Sequence, residues 1–204
     1  MPKVTVLFWD LGGVLLSNAW DHNERKKAST EFGLDPAEFE TRHELVVSSF
    51  ERGKITLDQY LDRTVFYDAR PFTRETFKDF MLSCSQPDKV ALAFARELAA
   101  TGRYFMSTIN NESRELNDYR IQQFGLAEIF DLFVSSCFVA LRKPEAEIYR
   151  LALDLTQGEP HACCFIDDRA LNLECAAQLG MHTIRMQSVE QLRGDLKALG
   201  VSAE

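Results

Sequence analysis

The sequence predicts an α/β fold: a doubly wound parallel sheet carrying an inserted four-helix bundle. Three observations predict it. The chain opens on an apolar β run, Val4-Thr5-Val6-Leu7-Phe8-Trp9, that ends on Asp10-Leu11-Gly12-Gly13. From Asn18 to about Leu82 only helical periodicity is found. From Asp88 onward helix and strand patterns alternate with short connections, as they do where parallel strands are joined by crossover helices.

Residues 3–9 form the first strand. Mostly β-favouring apolar residues in an unbroken run read as a strand buried on both faces, at the centre of a parallel sheet. Ligands of such sheets bind beyond the carboxyl ends of the strands, which puts Asp10 at the mouth of a site, with Gly12 and Gly13 letting the backbone come close to a substrate. An Asp-containing turn is the plain alternative. In the insert, one helix covers about residues 20–32 and stops at Gly33, and a second opens at Asp35-Pro36. A third is capped by Thr56, and a fourth by Thr73, with Phe77, Phe80 and Met81 on one face. The alternating part reads helix 88–100, strand 103–107, helix 112–124, strand about 131–135, helix 145–155, strand 162–166, helix 170–179, strand 182–186 and helix 188–198. Residues 1–15 and 86–204 are expected to form the sheet domain, and 16–85 a helical cap over the strand ends.

Composition narrows the class of partner. With 204 residues, 46% hydrophobic and 26% charged, the chain can bury a full core. A net charge of −8 without a Lys/Arg run argues against nucleic acid. The opening apolar run is broken by Asp10 and lacks a cleavage pattern, and no span is long enough for a membrane, so a cytoplasmic protein is expected. Five cysteines (Cys84, Cys137, Cys163, Cys164, Cys175) lack metal-site spacing and read as reduced core residues.

Two further polar clusters follow apolar runs as Asp10 does. Arg103-Tyr104-Phe105-Met106 leads into Ser107-Thr108-Ile109-Asn110, and Ala162-Cys163-Cys164-Phe165-Ile166 into Asp167-Asp168. Between them stands Arg142-Lys143-Pro144-Glu145, at a helix start marked by Pro144. A carboxylate, a hydroxyl, a lysine and an acidic pair in this order resemble the four motifs of the haloacid dehalogenase superfamily. The likeness covers nearly the whole chain. Within the superfamily it is most similar to the phosphatase group that includes α-D-glucose-1-phosphate phosphatase, through Asp10-Leu11-Gly12, Glu51-Arg52-Gly53-Lys54-Ile55-Thr56, Arg142-Lys143-Pro144-Glu145 and Asp167-Asp168-x-x-x-Asn172.

The resemblance implies a Mg²⁺-dependent phosphatase acting on a small phosphorylated metabolite, a sugar phosphate or similar, through an aspartyl-phosphate. Asp10 would be the nucleophile, and Ser107 and Lys143 would complete the catalytic set, neutralising a dianion that otherwise repels the attacking carboxylate. The metal would be held by Asp10, the backbone carbonyl of Gly12, Asp168 and Asp167, an all-oxygen set suited to Mg²⁺. Leu11, Gly12 and Thr108 would line the substrate, and Arg52 and Lys54 would reach it from the cap. Each has a plainer reading: Ser107 and the acidic pair can cap helices, Lys143 can be solvated, and the Arg52–Lys54 turn can be a solvated loop. The superfamily's usual second aspartate, two residues after the nucleophile, is replaced by Gly12, so the general acid has no obvious owner. His22 and His43 of the cap are the candidates for a replacement, although a lone histidine is more often structural. A 2-haloacid dehalogenase, whose halide needs no proton, is the alternative, as is a weakly catalytic binding protein for a phosphorylated metabolite.

Overall fold

The computed structural model describes residues 3–203. Its centre is a five-stranded, wholly parallel sheet in the order β3-β2-β1-β4-β5. The strands are β1 (Val6–Trp9), β2 (Phe105–Asn110), β3 (Leu132–Ser135), β4 (Cys163–Asp167) and β5 (His182–Arg185). β1 is the middle strand, and its residues alternate between two cores. Leu7 and Trp9 pack with Met106, Cys164 and Ile166 under α5 (Lys89–Ala100) and α10 (Val189–Ala198). Val6 and Phe8 pack on the other face with Ile109 and Phe165 under α8 (Ala146–Thr156) and α9 (Ala170–Gln178). Both faces are therefore covered, which is why the strand reads as a continuous apolar run. Cys163 and Cys164 fall on opposite faces as adjacent strand residues must.

Between β1 and α5 the chain forms α1 (His22–Phe32), α2 (Pro36–Glu51), α3 (Leu57–Thr64) and α4 (Arg74–Ser83). Their caps are those the sequence predicts. Asp35 accepts from Glu38 N at 2.8 Å with Pro36 at the first helical position, and Thr56 and Gln59 form a reciprocal capping box. The four helices share an aromatic core, in which Trp20 meets Phe77 edge to face at 5.8 Å and Phe50 stacks on Tyr60 at 4.2 Å. Burying each such ring contributes on the order of 1.5–3 kcal/mol. The chain enters and leaves the insert side by side: Ser17 N donates to Gln86 O at 2.8 Å, and Gln86 N to Ser17 Oγ at 2.9 Å.

The structure corrects one expected boundary that bears on the site and adds one element. β2 does not stop at residue 107 but runs to Asn110, because Ser107 and Thr108 pair in register with Phe8 and Trp9 inside the sheet. A one-turn helix, α7 (Ser136–Val139), follows β3 directly. The helix after β2 is α6 (Arg114–Gln123). Among the described residues, no helix is long and apolar enough to cross a membrane.

Candidate active site

The register of the sheet decides what meets Asp10. Trp9 pairs with Ile166, so the next residues, Asp10 and Asp167, leave the sheet side by side, and Asp10 N donates to Ile166 O at 2.9 Å. Asp168 follows at once. Carboxylate oxygens of Asp10, Asp167 and Asp168 lie within 4.8 Å of one another. Lys143 reaches this group from the loop before α8. Its Nζ stands 2.9 Å from Asp10 Oδ1 and 2.6 Å from Asp167 Oδ2, and the side chain is 2% exposed.

Each member is held from behind. Asp167, the last residue of β4 and fully buried, accepts from Arg169 N at 2.8 Å and from Asn172 Nδ2 at 3.0 Å. Asn172 is fixed in turn by Tyr149, whose hydroxyl donates to its carbonyl at 3.0 Å. Lys143 is clamped through its backbone by Asn111, which accepts from Lys143 N at 2.8 Å and donates to Lys143 O at 2.9 Å. Asp10 Oδ1 also accepts from Leu11 N at 2.8 Å. Burial pushes the Asp10 carboxyl up to about 6, Lys143 pulling it down and Asp167 adding to the rise.

Three carboxylates face one lysine, an uneven balance in a buried place. Asp168 Oδ1 is buried and has no hydrogen-bond partner among the described residues. An acceptor left so is costly without a cation, and an all-oxygen, carboxylate-rich set fits a hard divalent ion. Gly13 allows the loop after β1 to pass here: at φ 74° it has the left-handed backbone, and a Cβ on it would lie 2.4 Å from Asp168 Oδ2. The residues present therefore fit the Mg²⁺ that the sequence implies.

Other expected residues are placed elsewhere. Ser107 is fully buried at the level of Phe8, its hydroxyl facing no closer acceptor than Thr108 O at 3.4 Å. Thr108 sits beside Trp9 with Oγ1 buried and unpartnered. Neither lines the cavity at Asp10; the polar residues at that strand end are Asn110 and Asn111. Leu11 turns its side chain into the core. Arg52 ties the α2–α3 turn to the sheet domain, donating to Ala140 O at 2.9 Å and pairing with Glu145, and Lys54 is exposed; neither lines the cavity.

The cavity between insert and sheet has a volume of about 400 Å³. Asp10, Gly12 and Lys143 form its floor, and Trp20, His43, Phe50 and Glu51 reach it from the insert. Glu51 pairs with Arg142 at 2.7 Å, and burial raises its carboxyl. Arg120, 2% exposed, pairs with Glu112 at 2.9 Å and donates to Ser85 Oγ at 3.1 Å. Sequence reasoning missed both arginine–glutamate pairs: Glu51 and Arg142 stand in separate motifs that nothing in the sequence links, and Arg120 and Glu112 stand in none.

Comparison with known proteins agrees with this geometry. The haloacid dehalogenase-like hydrolase profile matches residues 4–180. The chain belongs to this family. Among its members, flavin mononucleotide hydrolase 1 of Arabidopsis thaliana is 29% identical over 169 residues, covering 80% of this chain and 65% of the plant protein. Sesquiterpene phosphatase astK of Aspergillus oryzae is 26% identical over 134 residues, 65% of this chain and 67% of that protein. The HAD family enzyme BT-2542 of Bacteroides thetaiotaomicron, solved with magnesium and inorganic phosphate, superposes with a TM-score of 0.76 at 20% identity, covering 93% of this chain and 99% of that one. At that identity the superposition shows a common fold. This hydrolase thus carries the family's sheet and a helical insert above its strand ends.

Proposed function

We propose that this hydrolase is a Mg²⁺-dependent phosphatase of small phosphate monoesters, sugar phosphates or similar, working through an aspartyl-phosphate on Asp10. The observation that carries this reading is the cluster of buried Asp10 and Asp167 with half-buried Asp168, in which Lys143 is the one cation paired among the described residues and Asp168 Oδ1 has no hydrogen-bond partner among them. A site so built suits a divalent cation and a phosphate whose oxygens share it, whereas the dehalogenase alternative works without a metal and would leave the acidic pair without a role. Support also comes from one relative named as a phosphatase and another as a flavin mononucleotide hydrolase, and from a neighbour solved with magnesium and inorganic phosphate. On the same reading, residues 1–15 and 86–204 are the catalytic unit and 16–85 the cap, meeting at the paired segments around Ser17 and Gln86.

The metal, held by Asp10, Gly12 O and Asp168 with Asp167 beside them, would supply positive charge to the transferring phosphoryl oxygens. The chain's residues do the rest. Lys143, anchored by Asn111, screens the dianion from the Asp10 carboxylate. The Asp10 carboxylate attacks phosphorus; the P–O ester bond breaks, its electron pair leaves with the alcohol oxygen, and that oxygen takes a proton from a water in the cavity. Water then attacks the acyl phosphate, releasing inorganic phosphate and restoring the carboxylate. Closure of the insert over the cavity keeps bulk water from the first step.

The test is Mg²⁺-supported phosphate release from p-nitrophenyl phosphate. Asp10→Asn and chelation should each abolish it, while Asp10→Asn keeps its fold. Undiminished release after chelation would overturn the reading in favour of metal-independent dehalogenase-like chemistry.

A further inference from the structure

We propose that His43 is the specificity residue of the insert, donating one hydrogen bond from Nε2–H to a hydroxyl or carbonyl oxygen of the leaving alcohol. This rests on the phosphatase reading above. Tyr60 stands one residue back from the cavity, behind His43. Its hydroxyl is fully buried and lies 2.9 Å from Trp20 Nε1 and 2.9 Å from His43 Nδ1. An indole N–H only donates, so Tyr60 Oη accepts from Trp20. His43 Nδ1, at 2.9 Å, is the acceptor placed to take the Tyr60 proton, while the nearby Thr64 hydroxyl donates to Tyr60 O at 2.8 Å. Nδ1 therefore accepts, and a neutral imidazole that accepts at Nδ1 carries its proton at Nε2.

The imidazole is neutral. Burial, with Arg25 and then Arg142 pressing the same way and Glu40 opposing, lowers the His43 pKa to about 4. Arg25 is itself occupied by Glu40 and by Trp20 O. His43 is 7% exposed, lines the cavity it shares with Asp10, and has no protein partner on Nε2 among the described residues. What faces the substrate is an uncharged donor with a fixed direction, beside the Phe50 ring that stacks on Tyr60. That chemistry selects an oxygen acceptor over a second anion or an alkyl tail. His22, the other histidine at the cavity, is 69% exposed with Nδ1 at 3.3 Å from Glu40, and carries no such constraint.

Two substitutions separate the two faces of the ring. His43→Asn keeps an acceptor where Nδ1 met Tyr60 and leaves nothing at Nε2, whereas His43→Gln places an amide N–H near the Nε2 position and gives up Nδ1. Kinetics are measured on p-nitrophenyl phosphate, glucose 1-phosphate and glycerol 2-phosphate. On the better of the two hydroxylated esters, KM should rise about tenfold in the Asn variant, the worth of one neutral hydrogen bond, and less than about threefold in the Gln variant. On p-nitrophenyl phosphate, whose leaving group offers no hydroxyl or carbonyl, the Asn variant should lose less than it does on the hydroxylated ester. The reverse order, or equal losses, would show that His43 serves only to hold Tyr60, and overturns the proposal. So does a wild type that hydrolyses p-nitrophenyl phosphate and neither hydroxylated ester, an outcome that leaves the phosphatase reading standing. A wild type that frees no phosphate from any of the three removes that reading and this inference with it. Should the Asn variant unfold, ¹⁵N spectra of the Asp10→Asn protein decide: glucose 1-phosphate moves the His43 Nε2–H resonance and inorganic phosphate does not. An unmoved resonance overturns the proposal.

Discussion

Gly53 offers a way to disturb the seating of the insert without touching a residue of the cavity. It lies in the α2–α3 turn at φ 64°, and a Cβ there would stand 2.3 Å from Cys137 O and 3.1 Å from Cys137 C. Both are backbone atoms of α7, so no rotamer relieves the clash. Gly33, at φ 63°, has nothing within 4 Å of its added Cβ. Gly33→Ala therefore measures the left-handed strain alone, about 1–2 kcal/mol. Gly53→Ala carries the same strain and must also withdraw the turn from α7. That withdrawal loosens the Ser136 Oγ donation to Glu51 O at 2.6 Å and the Arg52 donation to Ala140 O at 2.9 Å. At about 1 kcal/mol per hydrogen bond the second cost is about 2 kcal/mol, so Gly53→Ala should fall about that far below Gly33→Ala in urea denaturation. Because Phe50 and Glu51 line the cavity, KM for a hydroxylated ester should rise in Gly53→Ala and hold in Gly33→Ala. Equal stabilities and equal KM values for the two variants would refute the docking role of this turn.

Two further outcomes follow from the placement of side chains. Ser107→Ala should leave turnover within about threefold, since its hydroxyl faces only the sheet, whereas Asn111→Ala should lower kcat by freeing the backbone of Lys143; steady-state kinetics of the pair check both. Glu40, held down to about 2 chiefly by its hydrogen bonds from Arg25, contributes stability that is complete above its ordinary 4.5 and is lost as pH falls toward 2. Glu40→Gln should flatten that acid limb in denaturation curves taken between these pH values.

The parts of the site that could be read from the sequence are those set by strand ends. Asp10, Asp167 and Asp168 each follow an apolar run, and parallel register brings such positions together whatever lies between them in the chain. Lys143 could be read because Pro144 marks the loop before a helix. Ser107 and Thr108 stand back from the cavity for a physical reason: hydropathy falls at Ser107, yet small hydroxyl residues sit well inside a sheet between Phe8 or Trp9 and Leu132 or Phe133. Arg52 stands back for another. Its direction is set by Ala140 and Glu145, 88 and 93 residues further along and just past a one-turn helix without a periodic signature. The caps of the insert, by contrast, are local chemistry, and Asp35, Thr56 and Thr73 all accept from the N3 backbone as their positions predict.

Gly12 is where this hydrolase departs from the pattern its motifs otherwise resemble, and the structure makes the departure testable. Restoring a carboxylate there is allowed by the backbone, since Gly12, unlike Gly13, is not in the left-handed region. The added Cβ would lie 3.2 Å from Asn18 Oδ1, the end of a side chain that can turn aside, and 3.6 Å from Asn18 Cα, an ordinary contact. Gly12→Asp should therefore fold, at a cost of no more than about 1 kcal/mol. A positioned acid contributes on the order of 10² to 10⁴ in rate where the leaving group needs a proton, and little where it does not. Alkyl phosphates should gain in kcat while p-nitrophenyl phosphate, whose phenolate leaves unaided, stays nearly level. A folded Gly12→Asp protein with no gain on either ester would mean that proton delivery is already met in the wild type. His43 is no source of that proton: its neutral ring can hydrogen-bond the alcohol oxygen but holds Nε2–H too tightly to release it near neutral pH. The supply would then have to come through water in the cavity or from Glu51, whose carboxyl lines the cavity and is raised by burial against the pull of Arg142, and Glu51→Gln in the Gly12 background would separate these two.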